Sequence, residues 1–373
     1  MLIGIDASRA IVSQRTGTEN YSLQVIRGLV RAGAEHQFRL YLREPAAEGL
    51  LPREPHVEHV VLGPRRLWTH LGLSREVCRR PPDVLFIPAH VVPLWHPPAT
   101  VVTVHDLGYR FFPGQHRLGA RLYLEASTRF SCHVARRVIA DSWATARDLQ
   151  REYGVPAARI TVVYPGLDPV IARADEVAQQ LVGERYRLAR PFVLYVGTIQ
   201  PRKNLARLVE AFNLLPREFE DIELVLAGKT GWLTAEIHRK VRQLGLERRV
   251  RFTGYVPADD LPALLSAAEC FVMPSLYEGF GLPVLEAMAC GTPVICSTAG
   301  SLPEVAGDAA LQFSPLDVEA LAAALARLLG DSTLRRELVD RGYRRVAEFS
   351  WERCAHEVLD VLAETGTEQE RQR

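Results

Sequence analysis

Short apolar runs alternate along the chain with longer segments whose apolar positions step by three and four. In the first half the short runs are Leu2–Ile5, Phe38–Leu42, Val57–Leu62, Val84–Ile87, Val101–Val104, Val138–Ala140 and Ile160–Val163. Amphipathic stretches near Glu19–Arg31, Leu118–Cys132 and Trp143–Tyr153 lie between them. Strands alternating with helices predict a parallel sheet covered on both faces. The rhythm weakens after Tyr164-Pro165-Gly166-Leu167-Asp168-Pro169 and resumes at Arg190-Pro191, which places a domain junction there.

The second half repeats the alternation, with strands expected at Phe192–Val196, Glu223–Ala227, Val250–Thr253, Cys270–Met273, Pro293–Cys296 and Ala310–Phe313. Leu205, Leu208, Val209, Phe212 and Leu215 form one apolar stripe of a helix that covers this second sheet. Three helices follow near Val318–Leu329, Ser332–Glu348 and Trp351–Ala363 with no strand between them. The last has no sheet of its own to cover and is expected to cross back to the first domain. The predicted fold class is α/β, with two Rossmann-like doubly wound domains at residues 1–168 and 191–348, a linker at 169–190, and a C-terminal helix and tail at 349–373. Two such units facing each other would create an interdomain cleft at the carboxyl ends of their strands.

Length fits this reading, since 373 residues suffice for two to three compact units. A net charge of +1 gives no reason to expect nucleic acid as a partner. That total hides an asymmetry: residues 1–168 hold 21 Arg against 15 acidic residues, a balance of +6 that leaves −5 for the remainder. No apolar run approaches the roughly 20 residues that span a bilayer, and Met1-Leu2-Ile3-Gly4-Ile5-Asp6 enters a strand without a basic leader. Six scattered cysteines show no C-x-x-C spacing. A cytoplasmic protein without metal or cofactor is expected.

Chemistry concentrates in the strand-to-helix loops. After the strand ending at Met273 comes Pro274-Ser275-Leu276-Tyr277-Glu278-Gly279-Phe280-Gly281-Leu282-Pro283, followed by Glu286 inside the next helix. The glycines allow close approach of backbone to a ligand, and Pro283 suits a first helical turn. A glycine-rich turn whose glutamate complements a helix dipole would look similar. A second loop, Gly197-Thr198-Ile199-Gln200-Pro201-Arg202-Lys203-Asn204, sets two cations beside a helix N-terminus. That arrangement is favourable when an anion such as a diphosphate joins them; the alternative is a solvated basic turn. In the first half, Arg15-Thr16-Gly17-Thr18-Glu19 opens the first helix, and His105-Asp106 closes a strand, either as site residues or as a structural hydrogen-bonded pair.

The spacing of Glu278 and Glu286 resembles the E-x7-E signature of retaining glycosyltransferases of family 4 (group 1), and the region after His105, the Lys229 loop and the Tyr164-Pro165-Gly166-Leu167-Asp168 junction are most similar to bacterial mannosyltransferases. Supporting fragments are Ala140-Asp141-Ser142, Val162–Asp168 and Phe252–Pro257. The resemblance implies a GT-B fold whose first domain binds the acceptor and whose second binds a nucleotide-sugar donor, best matched by GDP-mannose, with UDP-glucose, UDP-N-acetylglucosamine and dTDP-rhamnose as alternatives. It implies that Glu286 binds the ribose and that Glu278 lies near the transferred sugar and phosphates. Gly279, Phe280, Gly281 and Leu282 would contact sugar or phosphate oxygens, and Arg202 and Lys203 would neutralise the leaving diphosphate in place of a metal. Gly17, Thr18 and Gly197 would sit in phosphate-side loops, His105 and Asp106 beside the donor sugar, and Tyr255, Val256 and Lys229 near the nucleotide. Configuration would be retained by front-face substitution, with no enzyme nucleophile.

The implied role is synthesis of cell-envelope polysaccharide on a glycan or lipid-linked acceptor. An epimerase of the same fold and a noncatalytic sugar-binding protein are the alternatives. Peripheral membrane contact is expected at Arg65-Arg66-Leu67-Trp68-Thr69-His70-Leu71-Gly72-Leu73-Ser74-Arg75. On a helix, Leu67, Leu71 and Ser74 would share a face beside Trp68, with Arg65, Arg66 and Arg75 reaching anionic headgroups. An ordinary helix burying Leu67, Trp68 and Leu71 is the alternative.

Overall fold

A computed structural model describes residues 1–13, 17–64, 66–115, 118–188, 191–231 and 234–372, without the side chains of Gln115 and Gln372. Arg15, Thr16, Arg65 and Arg190 lie outside the described residues. The chain divides into two compact units, Met1–Gly166 with Phe349–Arg373, and Leu167–Glu348.

The first unit holds β1 (Leu2–Asp6), β2 (Gln37–Leu42), β3 (Val57–Val61), β4 (Val84–Ile87), β5 (Thr100–Val104), β6 (Arg137–Ala140) and β7 (Ile160–Val162). All pair in parallel, in the order β3-β2-β1-β4-β5-β6-β7. Central β4 and β5 are buried at every residue, as continuous apolar runs covered on both faces require, whereas edge strand β3 is partly exposed. In the second unit, β8 (Phe192–Val196), β9 (Glu223–Ala227), β10 (Val250–Gly254), β11 (Cys270–Met273), β12 (Val294–Ser297) and β13 (Ala310–Phe313) follow the order β10-β9-β8-β11-β12-β13. Strand order reverses between β1 and β4 in one sheet and between β8 and β11 in the other, and such reversals are where doubly wound sheets bind ligands.

The C-terminal helix, Trp351–Gln372, packs on the first unit. Its Cys354, Val358, Val361 and Leu362 join Tyr21, Ile26 and Leu29 in one core. Two glycines permit this seat. A Cβ on Gly28 would lie 2.5 Å from the Ala355 Cβ, and one on Gly166 would lie 2.1 Å from the Trp351 backbone nitrogen.

Of the stretch 169–190, expected as a linker, the described residues 169–188 instead belong to the second unit and carry the helix Glu176–Tyr186. Asp175 caps that helix by accepting from the Ala178 N–H. Tyr186 Oη donates to Asp260 at 2.8 Å, and Arg185 pairs with the same carboxylate. Its polar composition hid a helix anchored by side-chain bonds rather than by a wide apolar face.

The basic segment before Arg75 also departs from one regular amphipathic helix. Leu67 takes a left-handed backbone, Thr69–Leu73 forms a wider helical turn, and only Ser74–Arg79 is α-helical. Trp68 is buried and donates Nε1–H to the Leu62 carbonyl, while Leu67 and Leu71 are 68% and 47% exposed. Ser74 is buried and accepts the Trp95 N–H.

Candidate active site

The loops after β8 and β11 flank the reversal of the second sheet and lock together through charge. After β8, Pro201–Lys203 makes one tight turn and Asn204 takes a left-handed backbone to start the helix Leu205–Asn213. The Asn204 amide donates to the carbonyls of Pro274 and Pro315, so this loop is tied to the segments that follow β11 and β13. Arg202 donates to the Tyr277 carbonyl at 2.6 Å and to Glu278 Oε2 at 3.2 Å. Lys203 Nζ and Ser275 Oγ both reach Glu278 Oε1 at 2.5 Å. The anion between the two cations is therefore the chain's own glutamate. Burial works to raise the Glu278 carboxyl, but the Lys203 and Arg202 charges outweigh it and hold the group down at about 2.

Glu286 lies in the helix Leu282–Ala289 and has the opposite environment. Among the described residues its carboxylate has no hydrogen-bond partner, and burial alone pushes it up to about 7. The two glutamates read from one motif are thus an ion-paired carboxylate and a buried carboxyl without a partner among the described residues. Gly281, at φ 106°, caps this helix, and a Cβ there would lie 2.8 Å from Leu302. Ser301 Oγ donates to the carbonyls of Glu278 and Phe280, which fixes the turn around Gly279 from the loop after β12. Leu282 is the first residue of the helix.

Gly197 adjoins the same rim. Its carbonyl would lie 2.0 Å from a Cβ on Gly228, so the loops after β8 and β9 meet backbone to backbone. Lys229 follows and places Nζ 4.7 Å from the centre of the Tyr255 ring, a cation–π contact on a tyrosine that is 62% exposed. Val256 is partly buried beside it in sequence. Gly197, Lys229, Tyr255, Arg202, Lys203 and Glu278–Glu286 accordingly all stand at the carboxyl ends of one sheet.

In the first unit, Gly17 begins the helix Gly17–Ala32, and a Cβ there would meet nothing within 4 Å. Thr18 accepts the Ser22 hydroxyl on its carbonyl. Asp106 Oδ1 accepts the Gly108 N–H at 2.7 Å, closing the turn into a short helix. His105 is buried after β5, with Nδ1 2.7 Å from Asp141 Oδ2 and Nε2 3.1 Å from the Pro88 carbonyl. Both partners are acceptors, so a ring bonded to both is an imidazolium. Burial opposes that charge, but Asp141 raises the His105 pKa above the ordinary value.

Sequence reasoning gave Asp141 no chemistry and passed over His90 and Ser275. Asp141 follows β6 and His90 follows β4 by a few residues; their place at strand ends was the available signal. Among the described residues no group of three or more His, Cys, Asp or Glu side chains could hold a metal ion.

Two doubly wound units, with a cation pair and a glycine-rich acidic loop at one strand reversal, have the architecture of the GT-B class. The whole chain superposes on sucrose-phosphate synthase from Thermosynechococcus elongatus with a TM-score of 0.76, covering 97% of this chain and 98% of that one at 24% identity. Sequence profiles described as glycosyl transferases group 1 and Glycosyltransferase Family 4 match residues 183–345 and 15–170. The chain belongs to glycosyltransferase family 4, group 1. It is 37% identical over 263 residues to O-antigen chain mannosyltransferase B of Escherichia coli, covering 70% of this chain and 69% of that protein. Serotype-specific mannosyltransferase WbdA of Escherichia coli is 34% identical over 283 residues, or 74% of this chain, which spans 34% of WbdA's length.

Proposed function

We propose that this glycosyltransferase moves mannose from GDP-mannose to a glycan or lipid-linked acceptor of a cell-envelope polysaccharide, with retention and without a metal ion. The donor sugar rests on the likeness to O-antigen chain mannosyltransferase B and WbdA. The observation that carries the mechanism is the Arg202–Lys203–Glu278 cluster. Two fixed cations at the sheet edge can stabilise charge developing on a departing diphosphate, the role a divalent metal would otherwise fill. Glu278 is a poor candidate nucleophile, because Oε1 already accepts from Lys203 and Ser275 and Oε2 from Arg202. That supports substitution on the face of the leaving group, whose phosphate oxygen accepts the acceptor's proton. Glu286 supplies the unpaired carboxyl that two ribose hydroxyls would satisfy.

Incubation of the protein with a panel of nucleotide sugars and mannose-terminated acceptors tests this reading. An α-linked product from GDP-mannose in the presence of EDTA is expected. A β-linked product, or activity abolished by EDTA and restored by manganese, would refute the mechanism; isomerised donor without transfer would favour the epimerase.

One surface supports a peripheral membrane role on the cytoplasmic side. Leu67, Leu71 and Trp95 are 68%, 47% and 61% exposed. Leu71, Trp95, Arg75 and Arg79 share a cavity of about 590 Å³. His70 lies 3.2 Å from the Tyr123 hydroxyl, which brings the helix Leu118–Val134 alongside, with Leu118 and Leu122 exposed. Exposed apolar side chains ringed by arginines suit an anionic bilayer interface. Flotation with anionic but not neutral vesicles, lost on Trp95→Ala and at high salt, is the expected result; no flotation with either vesicle removes the role.

A further inference from the structure

The first sheet carries a second histidine at its order reversal. His90 follows β4, the strand beside β1, and its ring stands edge-on to that of His105 with centroids 5.4 Å apart. Tyr21 closes on His105 from another direction at 4.8 Å. Because Asp141 and the Pro88 carbonyl occupy both nitrogens of His105, that ring has none left for a ligand. His90 is the reverse case. Its Nδ1 is buried without a partner, and among the described residues no group hydrogen-bonds to either of its nitrogens. An unpaired buried imidazole nitrogen weakens folding.

The groups facing His90 favour a neutral ring. Burial, then the His105 and Arg9 charges, bring its imidazole down to about 4, while Asp106 acts in the opposite sense. A neutral imidazole has one N–H and one lone pair. A hydroxyl, itself donor and acceptor, matches either nitrogen, whereas an ionised phosphate oxygen only accepts and matches the protonated nitrogen alone.

We propose that His90 is the imidazole that hydrogen-bonds a hydroxyl of the sugar substrate at the carboxyl edge of the first sheet, with His105 as the buttress behind it. This rests on the glycosyl-transfer reading but not on the identity of the sugar. The hydroxyl can belong to the donor hexose or to the acceptor glycan, and kinetics separates them.

His90→Ala is expected to lower kcat/KM about tenfold or more, the loss of roughly one hydrogen bond to a hydroxyl. His90→Asn, whose amide takes the place of Nδ1, or His90→Gln, whose amide reaches the position of Nε2, should recover most of it, according to which nitrogen meets the hydroxyl; recovery by neither overturns the proposal. A raised acceptor KM assigns the hydroxyl to the acceptor; a raised donor KM with unchanged GDP affinity assigns it to the donor sugar. Parental kinetics in His90→Ala overturn the proposal. If GDP-mannose supports no transfer by the parent protein, the donor reading fails instead, and the variants are compared with whichever nucleotide sugar in the panel does. An NMR measurement is independent of variant activity: the histidine Cε1–H resonance missing from His90→Gln should shift in the parent protein when that nucleotide sugar or the mannose-terminated acceptor is added to saturation. A resonance unmoved by both overturns the assignment.

Discussion

Glu286→Gln should strengthen the fold while weakening the site. The Glu286 carboxyl is raised from an ordinary 4.5 to about 7 by burial. A carboxyl that holds its proton more tightly when folded takes up a proton on folding, so stability falls as pH climbs from the unfolded value to the folded one. Each unit of displacement is worth about 1.4 kcal/mol, so the penalty grows from nothing below pH 4.5 to a ceiling of about 3 kcal/mol above pH 7. Glutamine has the same shape and cannot ionise. Urea unfolding of the parent and Glu286→Gln at pH 5, 6, 7 and 8 should give stabilities that differ by under about 1 kcal/mol at pH 5 and by about 3 kcal/mol in favour of the variant at pH 8. Titration calorimetry should show the reverse order for GDP, with affinity in the parent protein rising through pH 7 as the carboxylate forms and this rise absent in the variant. A stability difference that does not change with pH would show that burial does not govern this carboxyl. GDP affinity equal in both proteins would remove Glu286 from the nucleotide site.

Glu278→Gln leaves Arg202 and Lys203 without their carboxylate and should cost about 3–5 kcal/mol, with a larger stabilisation by GDP in thermal melts than the parent shows; an unchanged melting temperature would contradict the ion-paired cluster. Because the folded Glu278 value is depressed to about 2, its contribution is present above the unfolded 4.5 and is lost as pH falls towards 2, which acid unfolding of parent and Glu278→Gln will compare. Asp141→Asn should lower the His105 pKa, followed by NMR titration; a midpoint unmoved by the substitution would refute the pairing. Gly28→Ala inserts a methyl where the Ala355 Cβ leaves 2.5 Å and should cost about 1–3 kcal/mol, read as faster amide exchange in Trp351–Gln372; exchange at the parent rate would show that the helix seat tolerates the methyl.

The amino-acid sequence by itself determined the two sheets and the loops that carry the chemistry. Strands such as Val84–Ile87 and Phe271–Met273 are apolar at every position because parallel strands are buried on both faces, and that pattern survives without any knowledge of contacts. The glycines and proline around Glu278–Pro283 reveal a turn into a helix because only those residues suit its backbone. Tertiary structure decided what each charged group does. Glu278 and Glu286 sit eight positions apart in one motif, yet one carboxyl is held near 2 and the other near 7. The difference is set by Arg202 and Lys203, which lie some 75 residues away in sequence and meet Glu278 only across adjacent strand ends. His105 likewise gained its charge from Asp141, 36 residues on, and His90 its depressed value from burial and from the His105 charge beside it. Local pattern records which surface each residue must bury; ionisation depends on which charges arrive within a few ångströms, and folding alone brings those together.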